Sequence, residues 1–195
     1  MSEGAAESGP PTVHPTAVID EGARVGDGAV VWHFCHVMPE ADIGAGCSLG
    51  QNVFVGRGVR IGAGSKIQNN VSVYSGVEIG ERCFVGPSVV FTNVKTPRAE
   101  VRRRHLYEPT KVGDGASLGA NATIMCGVTI GDYALIGAGA VVTHDVLANQ
   151  LVVGVPARPT GWACRCGAVL PGRLVCSDCG RSYRKDRDGI SEIQP

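Results

Sequence analysis

From Thr12 onward, hydrophobic and polar positions recur every six residues. The blocks read TVHPTA, VIDEGA, RVGDGA, VVWHFC and so on to VFTNVK, then KVGDGA through VVTHDV. The second position is aliphatic in nineteen of twenty blocks, and the sixth is Ala, Cys, Val or Ser in nineteen of twenty. Both exceptions, Phe91 and Lys95, fall in the block beside a fifteen-residue break, Thr96 to Thr110. The sixth position of one block lies two residues before the second position of the next. Residues two apart in a strand share a face. Each block therefore predicts a short flat strand with one small and one large inward side chain. Cys35, Cys47 and Cys83 take inward sixth positions as small apolar residues. The fifth position is repeatedly Gly or Asn, from Gly22 to Gly139, which suits a corner needing positive φ. Three blocks close a triangular coil of eighteen residues. Twenty blocks stack to between six and seven coils, roughly 30 Å at ~4.8 Å per rung.

Stacking at eighteen-residue intervals places His33, Gln51 and Asn69 in one column, and Phe34, Asn52, Asn70 and Ser88 in the next. The first column is a hydrogen-bonding surface. Asn52 and Asn70 serve either as corner formers or as ligand contacts, and His33 either as a site residue or as an exposed turn residue. The break carries Arg98, Arg102, Arg103, Arg104, His105, Tyr107 and Glu108. An insertion this long inside a compact repeat is uncommon unless functional. Arginines on it suit a phosphorylated or carboxylated ligand; a solvated charged loop is the alternative. The later coils turn small residues outward at Gly119, Ala120, Gly137 and Ala138, away from the polar column.

Composition narrows the picture. Hydrophobic residues make up 44% of the 195, aromatics only 5%, and Gly numbers 28. That suits a narrow core with many turns. Eighteen basic and eighteen acidic side chains cancel, which argues against a nucleic-acid binder. No apolar run approaches the ~20 residues of a membrane span. Met1 to Pro11 contains no apolar segment and reads as a flexible terminus. The expected location is the cytoplasm. Beyond the repeat stand Cys164-x-Cys166 and Cys176-x-x-Cys179, with Gly after Cys166 and Cys179. Two close Cys pairs in a tail too short for its own core predict a four-thiolate structural zinc, with unmetallated thiols as the alternative. The expected organisation is a flexible 1–11, a repeat domain over 12–158 with the insertion at 96–110, a Cys module over 159–185, and a tail over 186–195.

The six-residue blocks resemble the hexapeptide-repeat acyltransferases. That resemblance implies an all-β fold, a left-handed parallel β-helix shaped as a triangular prism, with the loop insertion and a zinc-ribbon-like tail. WHFCHV (32–37), GQNVFVG (50–56), KIQNNVSVY (66–74), VFTNV (90–94), YEPT (107–110), GANATI (119–124), VGVPAR (153–158) and GWACRCG (161–167) resemble, more narrowly, N-acetyltransferases acting on nucleotide-linked 3-amino sugars. The implied reaction moves acetyl from acetyl-CoA to the 3-amino group of a UDP-linked 2-acetamido-3-amino-2,3-dideoxyglucuronate for surface-glycan (lipopolysaccharide) assembly. A dTDP-linked 3-amino-dideoxyhexose or another small amine is the alternative acceptor, and a metal-dependent carbonic-anhydrase-like protein a remote one. By resemblance, His33 and Asn69 carry catalysis. Gln51, Asn52, Asn70, Tyr74, Asn93, Arg98, Arg104 and Tyr107 bind the sugar nucleotide. Gly119, Ala120, Gly137, Ala138 and Arg158 bind CoA, in grooves between the subunits of a homotrimer.

Overall fold

The computed structural model describes residues 9–187 and 189–193. Most of the expected flexible terminus, residues 1–8, therefore lies outside the described residues, as do 194 and 195 of the expected tail. Three parallel sheets form the faces of a prism. Face I begins at Thr12–Val13 and climbs through Val30–Val31, Ser48–Leu49, Lys66–Ile67, Phe84–Val85, Ser117–Leu118 and Leu135–Ile136 to Gln150–Val153. Face II runs from Val18–Ile19 through His36–Val37, Phe54–Val55, Ser72–Val73, Val90–Phe91 and Thr123–Ile124 to Val141–Val142. Face III runs from Arg24–Val25 through Asp42–Ile43, Arg60–Ile61, Val77–Ile79 and Thr110–Val112 to Thr129–Ile130. Partners across the repeat ladders are eighteen residues apart, as Val30 with Ser48 and Val31 with Leu49, and sixteen at the last rung, as Leu135 with Leu151. Across the insertion the offset becomes thirty-three, as Phe84 with Ser117.

The core is one column of second- and sixth-position side chains. Leu49, Ile67, Leu118, Ile124, Ile130 and Ile136 have no exposed area. Each such burial favours folding by about 1.5–3 kcal/mol before chain entropy is counted. Phe91, the exception at a second position, is wholly buried and is the largest core side chain. Lys95 does not enter the core; its place is taken by Thr110, which is buried and pairs with Val77. The inward register thus resumes one residue earlier than the block pattern predicts, and the insertion proper ends at Pro109.

The sixth-position cysteines are not merely apolar fillers. The thiols of Cys35, Cys47 and Cys83 donate to the carbonyls of Gly50, Gly62 and Gly113, at 3.0, 3.1 and 3.0 Å. Ser65 occupies the same column between Cys47 and Cys83. Its hydroxyl donates to the Gly80 carbonyl at 2.8 Å and accepts from the Cys83 amide at 3.0 Å. A buried serine is tolerated there because both of its bonds are made.

All twelve Gly and Asn corner residues adopt positive φ. So do Phe34, Glu40, Arg82, Ser88 and Tyr133 at the same corner position. The stacked coil thus holds the left-handed conformation at residues other than Gly and Asn, though not at Thr16, Val94 and Asp145, which stand at the ends of the repeat and beside the insertion.

The chain ends in a small unit. Arg158–Trp162 runs antiparallel to Gln150–Val153 and extends face I. Ser182–Asp186 then pairs with Gly189–Ile193. Ordered structure therefore continues to Ile193, past the expected limit of the Cys module at 185. Cys164, Leu170, Cys176, Tyr183 and Ile190 form a buried cluster separate from the prism core.

Candidate active site

The corner between faces I and II carries His33, Gln51, Asn69, Pro87, Ala120 and Ala138, one per rung. The expected polar column and the expected CoA coils therefore share a single edge, rather than lying apart as the sequence spacing implied. Three rungs separate Asn69 from Ala138, roughly 14 Å at ~4.8 Å each. Gly119 and Gly137 sit beside Ala120 and Ala138. A Cβ on Gly119 would meet the Ala138 amide nitrogen at 2.4 Å, so the coils approach closely there.

Local contacts fix the polar end. The His33 ring stacks on His14, with centroids 3.5 Å apart and 25° between planes. His14 is held in turn, its Nδ1 accepting from the Thr16 amide at 3.2 Å and meeting the Thr16 hydroxyl at 2.9 Å. Asn69 Oδ1 accepts from the Gln51 backbone amide at 2.9 Å. That amide is an obligate donor, so the oxygen of Asn69 must face it, which leaves the Nδ2 amino group as the donor for a ligand. Gly50 makes room for this bond, since a Cβ there would lie 2.5 Å from Asn69 Oδ1. Beside these groups opens a pocket of about 360 Å³ lined by Trp32, His33, Ser48, Gly50, Gln51, Gln68 and Asn69. Trp32, Ser48 and Gln68 were not among the residues expected from sequence. A tryptophan 49% exposed in an aromatic-poor chain is the signal that marks this wall.

Asn52 and Asn70 lie one position further on, at φ 61° and 62°. Asn52 Nδ2 donates to Asn70 Oδ1 at 3.0 Å. Their carboxamides form a ladder along the corner, which accounts for both residues structurally.

The other expected sugar-nucleotide residues stand elsewhere. Tyr74 and Asn93 follow strands of face II and lie on the corner between faces II and III. Tyr74 packs against Phe54, centroids 5.7 Å apart. The insertion leaves from this same corner. Lys95 pairs with Glu108 at 2.7 Å across its base, and the Glu108 amide donates to the Asn93 carbonyl at 3.1 Å. The hydrogen bond with Glu108 holds the Lys95 ammonium above its usual pKa. Arg103 donates to the Thr96 hydroxyl at 2.9 Å. Arg98, Arg104 and Tyr107 are exposed, with Arg104 in a short 3-10 turn, Arg104–Leu106. Within one chain the loop and the polar column occupy different edges. Face II lies between them, with Val18 and Val90 exposed on its outer side and Phe54 half-buried.

Arg158 lies at the far end of the prism, in a cleft of about 380 Å³ with Thr143, His144 and Asp145 on its rim. His36 pairs with Asp20 at 3.0 Å on face II, and His105 is on the loop. Among the described residues the histidines form no three-residue metal cluster.

The four tail cysteines do converge. Their sulfurs all lie within 4.8 Å of one another, with Cys164–Cys179 at 3.5 Å and Cys166–Cys176 at 3.6 Å. A tetrahedral zinc with ~2.3 Å Zn–S bonds requires sulfurs about 3.8 Å apart, so the cage fits the ion. The Cys179 thiol is pulled down to about 6, first by the Arg181 backbone amide, then by the neighbouring thiols and the Arg181 guanidinium. Cys164 Sγ also lies 3.1 Å from the Tyr183 hydroxyl. Arg165 clamps this unit to the prism, donating to Tyr133 Oη at 2.7 Å and to Glu192 at 3.3 Å.

The chain matches the family model described as bacterial transferase hexapeptide (six repeats) over residues 22–57, 58–93 and 109–144. It is 40% identical over 181 residues to dTDP-3-amino-3,6-dideoxy-alpha-D-galactopyranose 3-N-acetyltransferase of Aneurinibacillus thermoaerophilus, covering 91% of this chain and 92% of that protein. It is 32% identical over 143 residues to the bifunctional protein GlmU of a Synechococcus strain, but spans only 30% of that longer protein. A hexapeptide-repeat acetyltransferase from Vibrio cholerae, solved with acetyl-CoA, superposes with a TM-score of 0.55 at 27% identity, over 63% of this chain and 70% of that one. A maltose O-acetyltransferase from Clostridium difficile gives 0.53 at 27% identity, over 62% and 68%. The matched repeats cover more than half of the chain and coincide with the stacked coils: it belongs to the bacterial hexapeptide transferase family.

Proposed function

We propose that this protein transfers acetyl from acetyl-CoA to the 3-amino group of a nucleotide-linked amino sugar, with a dTDP-linked 3-amino-dideoxyhexose as the acceptor. The observation that carries the reading is the full-length relative at 40% identity, whose name states that acceptor. It replaces the UDP-linked uronate as the leading acceptor. The edge chemistry supports it. Small residues at Gly119, Ala120, Gly137 and Ala138 leave a track for a pantetheine arm, with Arg158 at the phosphate end. The roughly 14 Å from Ala138 to Asn69 brings a thioester to the polar rungs.

The amine lone pair attacks the thioester carbonyl carbon, and the carbonyl π electrons move to oxygen. Asn69 Nδ2 donates to that oxyanion. Collapse reforms the carbonyl and breaks the C–S bond, and sulfur leaves as the CoA thiolate. The ammonium proton passes to His33, whose ring is fixed by its stack on His14. Alignment of the two substrates supplies much of the remaining rate.

The reading includes a homotrimer. Three prisms set around an axis with face II inward bring the polar corner of one copy against the loop-bearing corner of the next. Arg98, Arg104 and Tyr107 of one copy then reach the pyrophosphate of a sugar nucleotide held by its neighbour, alongside Tyr74 and Asn93. Cys164, Cys166, Cys176 and Cys179 hold one zinc as a structural clip, which takes no part in the chemistry.

The test is acetyl transfer from acetyl-CoA to dTDP-3-amino-3,6-dideoxygalactose, followed by thiol release and by the mass of the product. His33→Ala should lower turnover by about 10²–10⁴, with partial rescue by added imidazole. No acetylated sugar nucleotide from either the dTDP or the UDP acceptor refutes the reading.

A further inference from the structure

Along the corner between faces I and II, each coil passes an amide to a carbonyl of the preceding coil. Asn52 donates to His33, Asn70 to Gln51 and Ser88 to Asn69, each at 2.9 Å. The first rung breaks that pattern. The Phe34 amide donates instead to the Thr16 hydroxyl oxygen, at 3.1 Å. The Thr16 hydroxyl and the Thr16 backbone amide both meet His14 Nδ1, at 2.9 and 3.2 Å. The hydroxyl oxygen accepts from Phe34, which leaves its hydrogen for His14, and the amide can only donate. His14 Nδ1 therefore carries a lone pair, and the ring proton sits on Nε2.

That tautomer matters because His14 lies against His33, with ring centroids 3.5 Å apart. Both rings are half-buried. Two imidazoles this close cannot both hold a positive charge without strong repulsion. His14 has its lone pair engaged, so it takes a proton only by giving up both contacts with Thr16. The side chain of His33 meets three rings, His14, Trp32 and Phe34, and among the described residues its nitrogens hold no hydrogen bond. Of the stacked pair, His33 is the ring with a free lone pair. The strands that enter and leave these rungs carry two other ionisable groups, Lys66 and His36. Lys66 is exposed on face I, and His36 is held by Asp20 at 3.0 Å on face II. In the proposed trimer, loop arginines of the next copy add a positive charge that no change at His14 alters. His14 is therefore the ring-to-ring neighbour whose charge would oppose one on His33.

We propose that His14 is a positioning residue for His33. Locked by Thr16 as the neutral Nε2–H tautomer, it braces the ring that takes the amine proton and leaves the arriving charge unopposed. The proposal rests on the acetyl-transfer reading and deepens it. The N–H bond of the ammonium breaks, a new N–H bond forms on His33, and that imidazole becomes the cation. His14 keeps its proton and its lone pair as they were. A flat neutral ring in that place presents π electrons to the imidazolium.

The experiment is acetyl transfer to dTDP-3-amino-3,6-dideoxygalactose, followed by thiol release across the pH range in which imidazoles titrate. His14→Ala should lower kcat about tenfold and leave KM for acetyl-CoA within about twofold. His14→Phe, which restores a flat neutral ring, should recover most of that loss. His14→Arg places a planar, permanent cation there. It should move the acidic limb of kcat/KM towards lower pH by about one unit or more. In a His33→Ala background, His14→Ala should cost no more than about twofold further. Two-bond proton–nitrogen NMR should show His14 Nδ1 without a proton. Losses that add in the double variant, an acidic limb unmoved in His14→Arg, or a proton on His14 Nδ1 would each overturn the proposal. An active parent whose turnover is matched by His14→Ala overturns the brace alone. A parent that acetylates neither the dTDP nor the UDP sugar overturns the acetyl-transfer reading, and the brace with it.

Discussion

Asn69→Asp separates scaffolding from catalysis at one atom. The oxygen of Asn69 that accepts from the Gln51 amide at 2.9 Å is retained by a carboxylate, and a charged acceptor strengthens that bond. Asn69 is exposed, so the new charge remains hydrated. Folding stability should stay within about 1 kcal/mol of the parent. The Nδ2 donor, in contrast, is replaced by an anionic oxygen, which in the proposed mechanism faces the developing oxyanion. Loss of one such donor lowers kcat by about 10²–10³, or ~2.7–4 kcal/mol of barrier. Like-charge repulsion adds to this, so the expected fall lies at or beyond the upper end of that range. Asn69→Ala should lose a similar amount of kcat, since water can take over the exposed Gln51 amide. The assay is steady-state thiol release from acetyl-CoA at saturating dTDP-amino sugar, with thermal unfolding and CoA calorimetry on the same samples. If Asn69→Asp keeps kcat within about threefold, Nδ2 does not meet the oxyanion and the mechanism loses that residue. A large drop in thermal stability instead would mean that the carboxamide acts through the corner.

Other outcomes follow from the prism and the tail. Joint replacement of Cys176 and Cys179 by Ser should abolish zinc uptake, read by elemental analysis, while circular dichroism of the prism persists, because the two cores are separate. Ser65→Ala should destabilise by only about 1 kcal/mol, since the Cys83 amide and Gly80 carbonyl can then bond each other, as Ala134 and Gly131 do at 3.2 Å. A loss above about 4 kcal/mol in thermal melts would show that both groups stay orphaned. Burial pushes the Cys83 thiol up from 9.0 to about 11. Its contribution is therefore complete below pH 9 and fades as pH climbs towards 11, because the unfolded thiol ionises first. Denaturant melts from pH 8 to 11 should show this decline, and Cys83→Ala should flatten it.

The sequence made the stacked coils legible because a period of six puts one small and one large side chain inward in every block, while the left-handed prism was what the family resemblance implied. The twelve Gly and Asn corners were readable for the same reason. Phe34, Glu40, Arg82, Ser88 and Tyr133 were not, since the stacked coil holds them at positive φ against their intrinsic preference. Eighteen-residue stacking brought out His33, Gln51 and Asn69 but passed over Trp32, Ser48 and Gln68. Those three lie at other positions within their blocks and join the column only where the strand of face I bends into the corner. The loop residues could be identified as a group, but not assigned to an edge. Whether fifteen extra residues rejoin at one corner or another depends on which inward position Thr110 fills. The hairpin reaching Ile193 had no hydrophobic period long enough to register.

The insertion is rooted on a single corner. Asn93, Lys95 and Glu108 close its neck, while Val77 pairs directly with Thr110 beneath it. No rung of the ladder passes through the loop. Because closure entropy rises only slowly with length, this segment can lengthen, shorten or be exchanged for another without altering the register of a coil on either side. Over evolutionary time, this exposed arginine-bearing segment can drift in length and charge while the edge that carries His33 and Asn69 stays fixed. New substrate preferences can then arise by editing one loop, with no new fold.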